Sequence, residues 1–482
     1  MRVVVFTLLL LSSLLAACAP AHVPVTGAEP SAPAAAQPSR GAGQLTASRT
    51  SLPTSRATTA PSATATLTPR PSATRTPTPP PAGIIQVDTL EQEVYPFPQN
   101  GNCSLAEAIT AANLLRPVDG CAAGVENQTV IELMPGTYRL TRIDTSPQQV
   151  EWAVHTDAAG SALPPVARVL TLRGNGAVLS REDAAEPFRI LEILYGSLIT
   201  LEDITFQGGD AGETGWGGGV LVQNASAHLS NVQFFNNRAE NGGGMYLSNG
   251  GLTVRDSLFQ GNEAYFSGGG LYVDTAKIEI SGTRFLENRN DGVGAGFFAE
   301  RITLLLTDSI FIGNTNAGTH GGGLSIAEAE ATILRSQFYR NVTGSTGGGA
   351  SFRNYIYEDD IAEAEADPML MLENSEFYQQ YATMIPGFRE TLVAQPSGQF
   401  QAIKLKIEIH DSCFKNNVTH FPGDPNWASA IGGVSLAQNN YYGHPSGPGG
   451  MGPGIGDMVG KKVEFEPFLT APPPHCDLSL AK

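Results

Sequence analysis

Tyr246, Tyr272 and Phe298 stand 26 residues apart, and two positions after each comes a polar residue, Ser248, Asp274 and Glu300, with Arg353 further along the same series. Aromatic faces at regular intervals can stack on sugar rings or anchor a protein partner. Two carboxylates brought side by side would repel unless a cation or a shared proton lay between them, which suits either a Ca2+ site or an acid/base pair. Solvated carboxylates are the plainer alternative. All of this chemistry depends on whether chain segments about 26 residues apart lie next to one another.

The spacing of other residues says that they do. Phe206, Phe234, Phe259, Phe285, Phe311 and Phe338 follow at intervals of 25 to 28, and Phe377 and Phe414 continue the series after longer gaps. Asn237, Asn262, Asn288, Asn314 and Asn341 each come three residues after a Phe, and glycine clusters follow at 242–244, 268–270, 294–296, 321–323 and 347–349. Repetition at one period marks a solenoid. A phosphate-binding loop would need a single glycine-rich turn before a helix, usually with Lys and Ser or Thr, so the glycines read as turns. Within one period the runs LYV, KIEI and TRF alternate apolar with polar, and no window carries a helical repeat. The pattern predicts an all-β, right-handed parallel β-helix with three short strands per coil of about 25 residues. In such a coil Leu221, Tyr246, Tyr272, Phe298, Ser325, Ser351 and Ser435 would form one outward column, and Gln223, Ser248, Asp274, Glu300, Ala327 and Arg353 a second.

The flanks differ in kind. Residues 1–18 read as one Arg, an apolar run too short to span a membrane, and small residues ending in Cys18, as in a secretory leader. Residues 19–83 are dominated by Ala, Pro, Ser and Thr and are expected to be a disordered spacer. Residues 1–83 hold six Arg and one Glu of the chain's 29 basic and 46 acidic residues, so residues 84–482 carry 23 against 45, a net charge of −22. A body that acidic argues against nucleic acid as a partner. Apart from Cys18, four cysteines remain, and proximity in sequence favours Cys103 with Cys121 and Cys413 with Cys476. His320, His410, His420 and His444 lack metal-ligand spacing.

Residues 100–121 contain the one amphipathic helix, with Ser104 as N-cap, Glu107 three residues on, and Leu105, Ala108, Ile109 and Ala112 on one face. It should plug one end of the solenoid, where unpaired edges would otherwise recruit other chains. Residues 84–130 then form a cap, 131–438 the coils, with insertions at about 355–372 and 378–403, and 439–482 a closing segment.

Three motifs carry a family resemblance. CSLAEAITAAN, residues 103–113, resembles the CSLREA-type module of bacterial surface proteins, with Ala106 where that module has Arg. The GGG and FxxN coils resemble the repeats of the polymorphic outer-membrane protein family, within the pectate-lyase-like superfamily. NNYYGHPSGPG, residues 439–449, is similar to the closing segment of such proteins. Leu15-Ala16-Ala17-Cys18 resembles a bacterial lipobox, which implies a lipid on Cys18 and attachment to a membrane at the cell surface. The resemblance implies that substrate, where there is any, lies over the outward face of the first strand. The leading expectation is a monomeric surface lipoprotein whose stalk is adhesive or binds a polysaccharide, other ligand or surface protein, with no cofactor beyond a Ca2+ ion. The alternative is an extracellular polysaccharide lyase or glycoside hydrolase. Tyr246, Tyr272 and Phe298 are the expected ligand contacts, and Asp274, Glu300 and Arg353 the candidates for catalysis.

Overall fold

The computed structural model describes residues 83–146, 159–344, 347–355, 369–373, 375–378, 381–383, 390–397, 406–420, 429–433, 435–460 and 463–476. The expected leader with Cys18, and all but the last residue of the expected spacer, lie outside these residues.

One coil shows how the sequence bends. The strand Leu271–Ser281 turns at Thr275 and is followed by Arg284–Leu286 and Arg289–Asn290 before the glycine cluster leads into the next coil. Each corner is made by one residue at positive φ: Thr275 (51°), Gly282 (59°), Glu287 (53°) and Gly294 (64°). The same corners recur coil after coil. Asp203, Asn231, Asp256, Asp308, Arg335 and Asp411 all adopt this conformation three residues before a core Phe, where short polar side chains and glycine tolerate it best.

The coil therefore has four strands, one more than expected. The additional strand runs from the Asn to the glycines and is as short as two residues, too brief for any apolar alternation to reveal it. Its copies form a separate seven-stranded sheet running from Arg238–Asn241 to Val418–His420. Every strand-to-strand pairing between coils is parallel, with equivalent residues in register, as in Phe259↔Phe285↔Phe311↔Phe338.

Three interior columns hold the stack together. The phenylalanine rings lie nearly parallel, with centroids 4.6–5.4 Å apart from Phe206 through Phe414, and Tyr442 ends the column. Beside them the fully buried asparagines form a ladder. The Nδ2 of Asn288 donates to Oδ1 of Asn314 at 3.0 Å and to the Phe259 carbonyl at 2.9 Å, while its Oδ1 accepts from the Asn262 backbone at 3.0 Å. In a third column the hydroxyls of Ser257, Ser309, Ser336, Ser375 and Ser412 accept backbone N–H groups of the preceding coil at 3.1–3.3 Å.

The glycines serve this stacking. Gly242 turns at φ +64°, and a Cβ on Gly243 or Gly244 would sit 2.2 or 2.5 Å from a carbonyl oxygen of the neighbouring coil. A side chain there would force the neighbouring coil to shift, and the largest one tolerated in the next clusters is the methyl of Ala295, so the glycines build turns.

Both expected insertions enter at a single corner, between the first and second strands of successive coils. Ala350–Tyr355 and Glu390–Ser397 are paired first strands, and Met369–Glu373 and Lys406–His410 are the paired second strands that follow. Part of the stretch expected as insertion at 378–403 is thus regular coil. The intervening residues 356–368 and 398–405 lie outside the described set.

The helix Leu105–Leu114 begins with the expected capping box of Ser104 and Glu107. It is not amphipathic in its setting: every residue from Leu105 to Asn113 is buried, and Leu90 and Phe97 of the preceding segment pack against the same core. The disulfide Cys103–Cys121 closes the loop containing the helix, and Cys413–Cys476 fastens the closing segment to a coil, as sequence proximity suggested.

Burial pushes the Glu107 carboxyl up from 4.5 to about 7. The neighbouring Glu93 carboxylate adds to the rise, both by its charge and by hydrogen bonding to the protonated Glu107. The folded cap holds this proton more tightly than the unfolded chain does, so its contribution to stability is present below pH 4.5 and is lost as pH rises through about 7. Urea unfolding followed across that window should show stability falling with pH, and Glu107→Gln should flatten the dependence.

Candidate functional site

The first-strand columns are in the predicted register: Tyr246↔Tyr272↔Phe298↔Ser325↔Ser351, and beside them Gln223↔Ser248↔Asp274↔Glu300↔Ala327↔Arg353. Ser435 is the exception, since Val393 occupies the position opposite Ser351. The side chain of Arg353 lies outside the described residues.

Exposure is where the expectation fails. Tyr246 and Phe298 are 7% and 5% accessible, and Tyr272 is half-buried. The rings stack on one another, Trp216 on Tyr246 at 5.1 Å, Tyr246 on Tyr272 at 4.8 Å, and Phe298 edge-on to Tyr272 at 5.1 Å. A Cβ on Gly268 or Gly294 would meet the Cβ of Tyr272 or Phe298 within 3 Å, so the glycine corner backs directly onto this column. The aromatic stripe is a buried stack and offers no continuous open face.

Asp274 and Glu300 do face each other one coil apart, but the cation between them comes from the chain itself. The Arg301 guanidinium bonds to Asp274 Oδ1 at 2.5 Å and reaches Glu300 Oε1 at 3.4 Å. The Tyr272 hydroxyl donates to the same Glu300 oxygen at 2.6 Å. Burial, then this bond and the charge of Glu300, raise the Tyr272 phenol far above its usual range. Burial and the charges of Asp274 and Glu300 push Tyr246 up to about 12. Both phenols are donors at neutral pH, and Arg301 sets one positive charge against the two carboxylates. A guanidinium of the chain thus lies against both residues named as the Ca2+ candidates, and each carboxylate has a partner. Arg301 was missed because it sits at the corner, one residue beyond the column that the period picks out. Elsewhere among the described residues the one grouping of three metal-ligating side chains is Cys413, His475 and Cys476, and its sulfurs are joined as a disulfide.

A different face carries free chemistry. A groove of about 520 Å³ crosses the second strands of four coils. One row along it is Leu198, Ser226, Gly251 and Lys277, and the next is His228, Thr253 and Glu279. The depression exists because Ser226 and Gly251 are small while Leu198 and Lys277 rise on either side. His228, Lys277 and Glu279 are exposed, and none makes an ion pair or side-chain hydrogen bond to another described residue. Sequence reading missed this site because the residues belong to the outward side of ordinary alternating strands. Asn-Gly-Gly at 249–251 was the only hint.

Residues 190–361 match the family described as right-handed beta helix region. The solenoid is a right-handed parallel β-helix. Solved structures similar to it include pectate lyase Pel9A, at 14% identity and a TM-score of 0.33 over 64% of this chain and 77% of that one. The catalytic unit of a GH87 alpha-1,3-glucanase from Streptomyces thermodiastaticus strain HF3-3 matches at 12% identity and a TM-score of 0.32, over 71% of this chain and 64% of that one. ORF18 of Geobacillus virus E2 matches at 9% identity and a TM-score of 0.20, over 79% and 60%. No curated protein matches the chain. Right-handed β-helices host unrelated activities, so function rests on the site.

Removing the internal cation tests the reading of the Asp274–Glu300 pair. Arg301→Gln should cost about 1 kcal/mol in low salt, since the groups are partly exposed and screened. Millimolar Ca2+ should recover that loss in the variant and leave the parent's unfolding midpoint unchanged.

Proposed function

We propose that this chain is a surface-anchored β-helix that binds a glycan without cleaving it, in the groove over the second strands. The observation that carries the reading is the contrast between the two faces. Asp274 and Glu300 are tied to Arg301 and Tyr272, whereas His228, Lys277 and Glu279 line an open concavity with their polar atoms unengaged. Glycoside hydrolysis usually requires a pair of carboxyl groups about 5–9.5 Å apart. Glu279 is the single carboxylate lining the groove, which favours binding over the hydrolase alternative. Polar side chains lining an elongated depression suit a polyhydroxylated chain.

Attachment through a lipid on Cys18 completes the proposal. Residues 19–83 would then hold the β-helix away from the membrane, with the groove free for ligand.

Gly251 gives a clean test of the groove. A Cβ there meets nothing closer than Ser226 Oγ at 3.4 Å, whereas one on Gly250 would collide with the Ala225 carbonyl at 1.8 Å. Gly251→Trp should fill the depression and abolish glycan binding while leaving the unfolding midpoint near that of the parent. Binding that survives, or new reducing or unsaturated ends on a glycan incubated with the parent, would overturn the proposal. For the anchor, Cys18→Ser should move the protein from the membrane fraction to the soluble fraction, and a variant that stays membrane-bound would refute lipidation.

A further inference from the structure

Resting on the groove reading, we infer that the ligand is a neutral saccharide chain, laid across the coils with one sugar ring on Tyr195 and a pair of adjacent hydroxyls gripped by Lys277 and Glu279. Tyr195 is 63% exposed and immediately precedes Gly196, Ser197 and Leu198, which form one end of the groove. Its turn is fixed: Ser197 N donates to the Leu194 carbonyl at 3.2 Å, Gly196 N donates to the Asn224 carbonyl at 2.9 Å, and Gly196 holds φ at +75°. An aromatic ring left open on a braced turn offers an apolar face at little conformational cost, as sugar stacking requires.

At the other end, Lys277 and Glu279 point outward from one strand two residues apart, ~7 Å at the backbone. Lys only donates and ionised Glu only accepts, while each hydroxyl of a sugar does both, so the pair complements two neighbouring hydroxyls. From Leu198, three residues after Tyr195, to Lys277 the groove crosses three coil spacings, ~14 Å, which gives room for more than one ring.

Charge decides between neutral and acidic chains. The Lys277 and Glu279 charges cancel within the groove, and residues 84–482 carry a net −22 that repels polyanions. A chain with a carboxylate on every sugar would meet one lysine and an opposing field.

The test is calorimetric titration of the full chain with a hexasaccharide of glucose and one of galacturonic acid. The neutral chain should bind, with little dependence on salt. Tyr195→Ala should weaken that binding roughly tenfold, and Lys277→Met and Glu279→Gln should each weaken it, whereas Phe266→Ala, exposed on the fourth-strand sheet, should not. Tighter binding of the galacturonate chain, or unchanged binding by Tyr195→Ala, would overturn the inference while leaving the groove reading intact. Binding that Gly251→Trp fails to block would instead bring down the groove reading itself.

Discussion

The buried asparagine ladder is the constraint on which the solenoid rests. At the corner where each chain turn passes from the Phe strand into the short fourth strand, the backbone N–H of one Asn has no partner within its own coil. The next coil's Asn Oδ1 accepts it, from Asn237 through Asn341, at 3.0 Å each time. An unpaired buried donor costs roughly 1–3 kcal/mol, so each coil needs its neighbour to be in register. Any slip by one residue would also throw the Phe column out of the core.

That register has consequences at both faces. It brings Asp274 opposite Glu300, where two carboxylates ~4.8 Å apart at the backbone demand a cation. Arg301 can supply it because the corner residue of the same coil projects beside the column. The identical register on the second strand aligns Ser226 with Gly251 and Lys277, so that absent side chains on neighbouring coils merge into one depression. One face is thereby closed by its own chemistry and the other is left open.

The ends are handled by different means. The N-terminal helix is buried on all sides, including Glu107, while the C-terminal end extends the interior columns with new residue types. Asn440 takes over from the hydroxyl ladder by accepting from Ser412 N at 2.8 Å, Tyr442 ends the ring stack, and Asp457 receives the Asn417 amide at 2.6 Å. Burial raises the Asp457 carboxyl to about 6. A repeat thus ends where its partners become a Tyr and an Asp that need no further coil.

The periodic residues of the sequence determined the solenoid, the Phe and Asn columns and the glycine corners, because each is a local requirement repeated at one interval; the disulfide pairs followed from proximity of the cysteines and the helix from its capping box. Tyr246, Asp274 and Glu300 were likewise placed correctly relative to one another. Their accessibility was not legible, since it depends on Trp216, Arg301 and the glycine corner, which reach the column from other positions in the coil. The fourth strand escaped notice because two residues carry no alternation. Only the folded coils decided that Asp274 and Glu300 would share the Arg301 guanidinium and that His228, Lys277 and Glu279 would share a groove. A strand's outward residues look alike in sequence, and which of them meet, and what covers them, is fixed by the residues stacked one and two coils away.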